Sequence, residues 1–432
     1  MNKHDGYQDT GIEWVGKIPR EWDLIRGKYL FSSNKEINKD LQCKNLLSLT
    51  YDGVLNKDYE SSEGLRPENY NTYQIFKKND LVFKMIDLEN VKTSRVGIVH
   101  EDGIMSSAYI RQEPIKEKID SKFAYWFYYD LYKKEIYNSI GSGVRSTLSS
   151  SDLLEIELPT PPLKEQKLIS RYLDKKTSQI DSLVEKIQKK IELLKEQRTS
   201  LINQCVTKGL YPNVEMKDSG IKWIGEIPKH WVTTRLKYHG SVLLGLSFDK
   251  EDIVDEGEGI LVLRSSNVQN RKLSFKDNIW VKTKVPDKLY VQKGDILICS
   301  RNGSRNLIGK NCILGDESLN MTWGVFMSVF RTNSPNFFYW VLNSQVFKSQ
   351  SGLYLTSTIN QLTVSTLENL IFPFVTDPIE QQKIHEYLIE KIGLIDNIIS
   401  QEVSRVKLLN KYRQSLISSV VTGKVRITEN MI

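Results

Sequence analysis

Between residues 165 and 207 apolar side chains return at alternating steps of four and three, at Ile180, Val184, Ile187, Ile191 and Leu194, and again at Leu201. That spacing is the heptad seam of a helix that lies against another helix. A second, less strict seam runs through Ile395, Ile399, Val406, Leu409 and Leu416, with Glu402 on one of its positions. Each stretch, about 40 residues at 1.5 Å apiece, predicts a rod of roughly 60 Å. Proline stops precede both, Leu158-Pro159-Thr160-Pro161-Pro162 and Phe372-Pro373, where extended chain turns into helix. Two seams in one chain, with an intervening region that must bring the chain back, predict that the helices pair with each other antiparallel. Arg198 and Arg413 then fall at equivalent places, facing polar partners.

Outside the seams the apolar runs are short and bounded by turn residues. They predict strands at Leu46 to Leu49, Leu81 to Phe83, Val96 to Val99, Ile260 to Leu263, Ile296 to Cys299 and Gly324 to Phe330. Amphipathic stretches, Phe123 to Tyr137 and Phe337 to Phe347, read as helices between them. Each globular region is therefore a mixed α/β domain, and the fold class is α+β.

The pattern occurs twice. The segment from Asp9, DTGIEWVGKIPREWDLIRGKY, matches DSGIKWIGEIPKHWVTTRLKY from Asp218 with 11 identities in 21 positions, so that Trp14 and Trp22 coincide with Trp223 and Trp231 at an offset of 209. A second match sets EQKLISRYLDKKTSQID from Glu165 against EQQKIHEYLIEKIGLID from Glu380, at an offset of 215. Between these anchors the likeness thins to Lys78-Asn79-Asp80-Leu81-Val82 beside Lys293-Gly294-Asp295-Ile296-Leu297, and to Phe123-Ala124-Tyr125-Trp126 beside Phe337-Phe338-Tyr339-Trp340. A fixed-offset repeat of this size means a duplicated architecture with an internal pseudo-two-fold. Helices that match better than the globular regions imply a common frame carrying two different recognition surfaces. The tryptophan segments read as packed domain entrances.

Composition narrows the class. The 432 residues are 40% hydrophobic and 26% charged, with 12 prolines, as in folded rather than disordered chains. No signal peptide or apolar run of membrane-spanning length is visible, so a cytoplasmic protein without membrane association is expected. Cys43, Cys205, Cys299 and Cys312 form no C-x-x-C pair and the five histidines are scattered, which argues against a metal site. The net charge of +7 is compatible with a polyanionic partner, though modest for the size of the chain.

Catalytic motifs are missing. There is no phosphate loop, no G-x-S-x-G, no H-E-x-x-H, no N-P-P-[YF] tetrapeptide and no glycine fingerprint for a dinucleotide or methyl donor. Gly141-Ser142-Gly143 reads as a turn, and Asp287 beside Lys288 as a chance echo of a nuclease site. What remains is polar, basic and aromatic chemistry in loops: Tyr51, Lys84, Lys92, Arg95, Arg111 and Arg145 in the first half, and Arg264, Ser265, Asn267, Arg271, Arg301, Asn302, Arg305, Lys310 and Tyr354 in the second. Arginine and asparagine pair bidentately with guanine and adenine edges, whereas lysine and serine more often hold phosphates. These are the candidate DNA contacts, densest from Arg301 to Lys310.

G-I-x-W-[VI]-G-x-I-P-x-x-W opening each half, the K-x-D-[LI]-[VL] strand, and the P-x-x-x-E-Q entry to a long helix, looser in the second half where Pro378 stands nearer Glu380-Gln381, together resemble the specificity subunit of type I restriction-modification enzymes. The resemblance covers nearly the whole chain. It implies target recognition domains at 1–158 and 213–373, each reading one half of a split double-stranded DNA site, with conserved helical regions at 159–212 and 374–432 forming an antiparallel coiled coil. It implies two modification subunits that dock on the helices and hold S-adenosylmethionine, and, in complete restriction systems, two restriction subunits that use ATP and Mg2+. This chain would then hold no cofactor and catalyse nothing. A coiled-coil scaffold that binds only protein, and a free-standing nuclease or methyltransferase, are the competing readings.

Overall fold

The computed structural model describes residues 4–57, 70–88, 93–141, 147–354 and 360–432, the side chains of Leu353 and Tyr354 excepted. The chain divides into two compact units, Met1–Gln188 with Ser404–Ile432, and Lys189–Val403. The division passes through both long helices, Leu163–Lys208 and Pro378–Val421. Each unit thus takes one globular region, the first part of the helix that follows it and the last part of the other helix, a grouping different from the four consecutive segments read from the sequence.

Within the first unit one core joins Ile169, Leu173 and Ile180 of the first long helix to Leu416, Ile417, Val420 and Val421 of the second. The second unit makes the reciprocal core from Ile202, Cys205 and Val206 with Ile384, Leu388, Ile392 and Ile395. In both, the start of one helix meets the end of the other, so they pair antiparallel. Seam residues Ile180, Ile187, Ile191, Ile395 and Leu416 are buried, and Val184, Leu194, Leu201, Ile399, Val406 and Leu409 half-buried.

The two arginines find the same partner at equivalent places. Arg413 binds Asp181 at 2.9 and 3.2 Å in the first unit, and Arg198 lies 3.4 Å from Asp396 in the second. Glu402, on its seam position, is met by Lys190 at 2.6 Å. Fully burying one seam isoleucine contributes roughly 1.5–3 kcal/mol, while an exposed ion pair contributes about 0–1. The apolar seam therefore supplies the affinity between the helices and the ion pairs set register.

The globular regions repeat one topology. A four-stranded antiparallel sheet runs in the order Phe31–Ser32, Ile110–Pro114, Leu81–Phe83, Val96–Ile98 in the first, and Gly240–Leu244, Met327–Thr332, Ile296–Cys299, Asn311–Ile313 in the second. A second pair closes each region on itself, Asp23–Arg26 with Glu157–Thr160 and Val232–Arg235 with Ile371–Phe374. Besides these, the second region carries a four-stranded sheet containing Ile260–Leu263 and a separate small hairpin of Val268–Gln269 with Lys272–Leu273, where the first pairs Leu47–Thr50 with Gly53–Asn56 and Gln74–Phe76 with Gly103–Met105. This difference lies in the stretch over which the repeat offset grows from 209 to 215.

Three elements are shorter than their apolar pattern implies. The helix expected through Tyr137 stops at Lys133 and restarts at Ile136 because Glu135 takes a left-handed φ of 58°. Its counterpart breaks after Leu342, where the buried Ser344 and the Asn343 amide, bonded to Asn311 Oδ1 at 2.7 Å, occupy the turn before the helix Gln345–Tyr354. The strand expected from Gly324 begins at Met327, since a turn bonds Met327 N to Gly324 O at 2.8 Å. That turn pushes Phe326 outward, to 54% exposure.

Candidate nucleic-acid interface

The matched motifs prove to be the frame. Trp22 and Trp231, both fully buried, donate their indole N–H to Glu165 at 3.2 Å and to Glu380 at 3.1 Å. The glutamine that follows each glutamate bonds the chain entering the helix: Gln166 Nε2 to Pro161 O at 2.7 Å, and Gln381 Nε2 to Val375 O at 2.6 Å. The helix ends complete the same junctions. Gly209 and Gly423 end the two helices at φ of 72° and 70°, the left-handed stop that glycine takes without cost, and a side chain there would press on Trp231 in one case and on Pro19 and Trp22 in the other. Trp14 is half-buried against the core of the first unit, whereas Trp223 is 53% exposed.

The aspartate of K-x-D is also structural. Asp80 and Asp295 are buried, and each carboxylate accepts from the backbone three residues earlier, Lys77 N at 2.7 Å and Gln292 N at 2.9 Å. Asp80 is paired with Arg111, and Asp295 with Arg331 through two bonds of 2.8 and 2.7 Å. By strand register Arg331 stands opposite Asp295, while Arg111 comes from one strand position on the same face further along. Burial lifts the Asp80 carboxyl above its usual range, and the Arg111 and Lys77 hydrogen bonds pull it back.

Three DNA candidates are therefore interior groups. Arg111 is spent on Asp80, Glu113 and Asn34 O. Arg95 is buried and donates to the carbonyls of Lys84, Ile86 and Asp87, at 3.3, 3.0 and 2.7 Å. Asn267 is buried too, accepting from Arg264 N at 2.9 Å and donating to Ser274 O at 3.0 Å. An arginine in such a place pairs inside because an unmatched buried guanidinium costs far more than an exposed one gains.

The other candidates divide between anchoring and display. Arg271 reaches Asp396 on the second long helix at 2.6 Å. Arg264 pairs with Asp277 at 3.0 Å. Lys310 donates to the carbonyls of Ser265 and Val268, and Asn302 to Ser265 Oγ at 2.9 Å. Lys84 is half-buried beside its strand, and Tyr51 stands exposed at a hairpin tip. Arg301 and Arg305 are exposed; Arg305 touches Gly352 O at 3.3 Å, and the Arg301 guanidinium lies 5.2 Å over the Phe326 ring. Lys92 and Arg145 lie outside the described residues, as does the side chain of Tyr354, the last residue of its helix.

The display occurs at one corner that the duplication places in both regions. Leu148 N donates to Met85 O at 3.0 Å in the first, and Leu362 N to Ser300 O at 2.8 Å in the second. Lys84 N donates to Arg95 O at 3.0 Å, and Cys299 N to Lys310 O at 2.9 Å. These bonds make Ile86 the counterpart of Arg301, and strand register makes Ala108 the counterpart of Phe326. Ile86 is 44% exposed. It lines a surface cavity of about 240 Å³ with Ala108, Tyr109 and Lys35. Sequence reasoning passed over Ile86, Phe326 and Arg331; laying the two halves on one another at the K-x-D strand is the signal that finds the first two.

Burial pushes the Cys312 and Cys205 thiols up to about 12, far from thiolate chemistry. Among the described residues no group of three His, Cys, Asp or Glu side chains could hold a metal ion, and no helix is long and apolar enough to cross a membrane.

The frame is thus a duplicated α+β fold whose two globular regions present unlike side chains at one equivalent corner. Residues 26–193 match the model of the type I restriction modification DNA specificity domain. Over 95% of its length the chain is 25% identical to the type I restriction enzyme MjaVIII specificity subunit of Methanocaldococcus jannaschii, covering 94% of that protein. A second relative from that organism, the putative type I restriction enzyme MjaX specificity subunit, is 25% identical with 98% of each chain covered. Among solved structures, a chain from a study of complex assembly and conformational transition of the type I R-M system superposes with a TM-score of 0.73 at 12% identity, over 94% of this chain and 99% of that one. The HsdS subunit from Thermoanaerobacter tengcongensis superposes at 0.52 and 14% identity, over 94% and 98%. The chain is thus similar, over nearly its whole length, to type I restriction enzyme specificity subunits.

Proposed function

We propose that each globular region reads one half of a two-part, non-palindromic double-stranded DNA site, while the paired helices set the unread spacer and seat two methyltransferase subunits. The carrying observation is the corner described above, where the same backbone frame presents unlike side chains in the two regions. Divergent displays on a shared frame are what two unlike half-sites require. The chain contributes recognition and no chemistry. S-adenosylmethionine belongs to the modification subunit, ATP and Mg2+ to a restriction subunit where one is present, and the complex works in the cytoplasm.

Docking of two identical partners is supported by apolar positions that the packing within each unit does not use. Leu183 and Leu408 are exposed in the first unit, Ile398 and Leu193 in the second, and Leu183 corresponds to Ile398 as Leu193 does to Leu408. Exposure of large aliphatic groups at both copies of a position is costly unless something covers them. Changing Leu193 and Leu408 together to lysine is expected to cut copurification of the methyltransferase at least tenfold while the unfolding temperature stays within about 2 °C, since exposed substitutions change stability by about 0.5 kcal/mol or less.

The reading is tested by sequencing methylated bases in host cells with and without the gene. A two-part motif with unlike halves, lost when the gene is deleted, is the expected result. Retention of every methylated motif after deletion would leave the protein-only scaffold as the better account.

A further inference from the structure

We propose that the duplicated corner is a base-reading position in each half-site, with Arg301 reading the guanine of a G·C pair and Ile86 meeting the methyl group of a thymine. The assignment rests on the DNA-reading function proposed above, and names where and how that reading differs between the halves.

A specificity-determining position should have a fixed backbone and a free side chain. Arg301 meets both conditions. Its N–H and that of Ser300 converge on Phe326 O, each at 3.0 Å, and it forms an antiparallel bridge with Gln361, so two other segments hold its backbone. No carboxylate among the described residues lies within ion-pair distance of its guanidinium, in contrast to Arg264, Arg271, Arg331 and Arg413. What it has is the face of Phe326 at 5.2 Å. Stacking on an exposed ring holds the planar group and restricts its rotamers while leaving the N–H fork unsatisfied. A fork so presented matches the O6 and N7 acceptors of guanine in the major groove.

The first region builds the same corner from apolar residues. Arg95, the counterpart of Lys310, is turned inward and fastens the carbonyls of Lys84, Ile86 and Asp87, so Ile86 is held from behind by a buried cation. Its side chain and Ala108 offer no donor or acceptor. The one major-groove group that suits an aliphatic surface is the thymine C5 methyl. An exposed isoleucine on a pinned loop is otherwise an unrewarded exposure.

The test uses the whole enzyme in its host, with methylated sites sequenced genome-wide for Arg301→Ala, Arg301→Lys and Ile86→Arg chains. Both Arg301 variants are expected to make one G·C position degenerate in one half-site, with preference there falling roughly 5- to 150-fold, because an ammonium cannot reproduce the fork. Ile86→Arg should relax or replace one A·T position, and only in the other half-site. An unchanged motif for Arg301→Ala overturns the proposal. So does a uniform loss of methylation with Arg301→Lys restoring it, which is the behaviour of a phosphate contact. Absence of any two-part motif from the unaltered enzyme would instead remove the DNA-reading function itself.

Discussion

Replacing Arg331 by methionine is expected to destabilise the second unit by about 3–5 kcal/mol, the cost of leaving a buried carboxylate without its partner. Asp295 is 1% exposed and its two oxygens accept two bonds from Arg331 and one from Gln292 N. The same guanidinium also donates to Tyr290 O at 3.0 Å and Lys288 O at 3.3 Å, so the loop that leads into the K-x-D strand loses its tie as well. For a unit of this size each kcal/mol moves the midpoint by roughly 2–4 °C, and the transition of the second unit should fall by roughly 10 °C in calorimetry. Asp295→Leu combined with Arg331→Met should recover most of the loss, since an apolar pair of similar volume replaces a buried ion pair nearly without cost. A loss below about 1 kcal/mol for Arg331→Met, or no recovery in the double variant, would show that the pair does not hold the sheet.

That pair also marks where sequence reasoning reached and where it stopped. The seams were legible because the helix period forces apolar residues onto one stripe, and pairing within the chain leaves that stripe intact. The K-x-D strands were legible because they are buried on both faces, and Leu81 to Phe83 and Ile296 to Cys299 read as unbroken apolar runs. The pairing of Arg111 with Asp80 is not legible, because nothing in IRQEP says which strand face meets the aspartate. Gln112 beside Arg111 is buried as well, so alternation gave no guide. The inward placement of Arg95 and Asn267 is hidden in the sequence for a related reason: their partners are main-chain carbonyls and amides, which carry no sequence signature. Ile86 was passed over because a search for polar contacts discards aliphatic residues, yet the repeat places it where the other half has Arg301.

Lengthening one long helix by whole turns is expected to change the spacer of the recognised site and leave both half-site sequences as they were. The two kinds of change are separable because they lie in different parts of each unit. The display residues sit on loops whose backbone bonds are internal to the globular region, as with Leu362 N to Ser300 O and Leu148 N to Met85 O. The matched junctions between each region and its helix, Trp22 with Glu165 and Trp231 with Glu380, lie near the helix starts at Leu163 and Pro378. Residues inserted near 188–189, where the chain passes from one unit to the other, touch neither the junctions nor the displays. Whole turns are required because a fraction of a turn would rotate the seam away from its partner and expose Ile187 and Ile191, now 4% and 7% exposed; each re-exposed isoleucine would cost roughly 1.5–3 kcal/mol. Sequencing the methylated sites of such a variant should return the same two half-sites at a new separation. A variant that folds, methylates and keeps the original separation would show that the helices do not set the spacer, and a changed half-site would show that the displays are not independent of the helices.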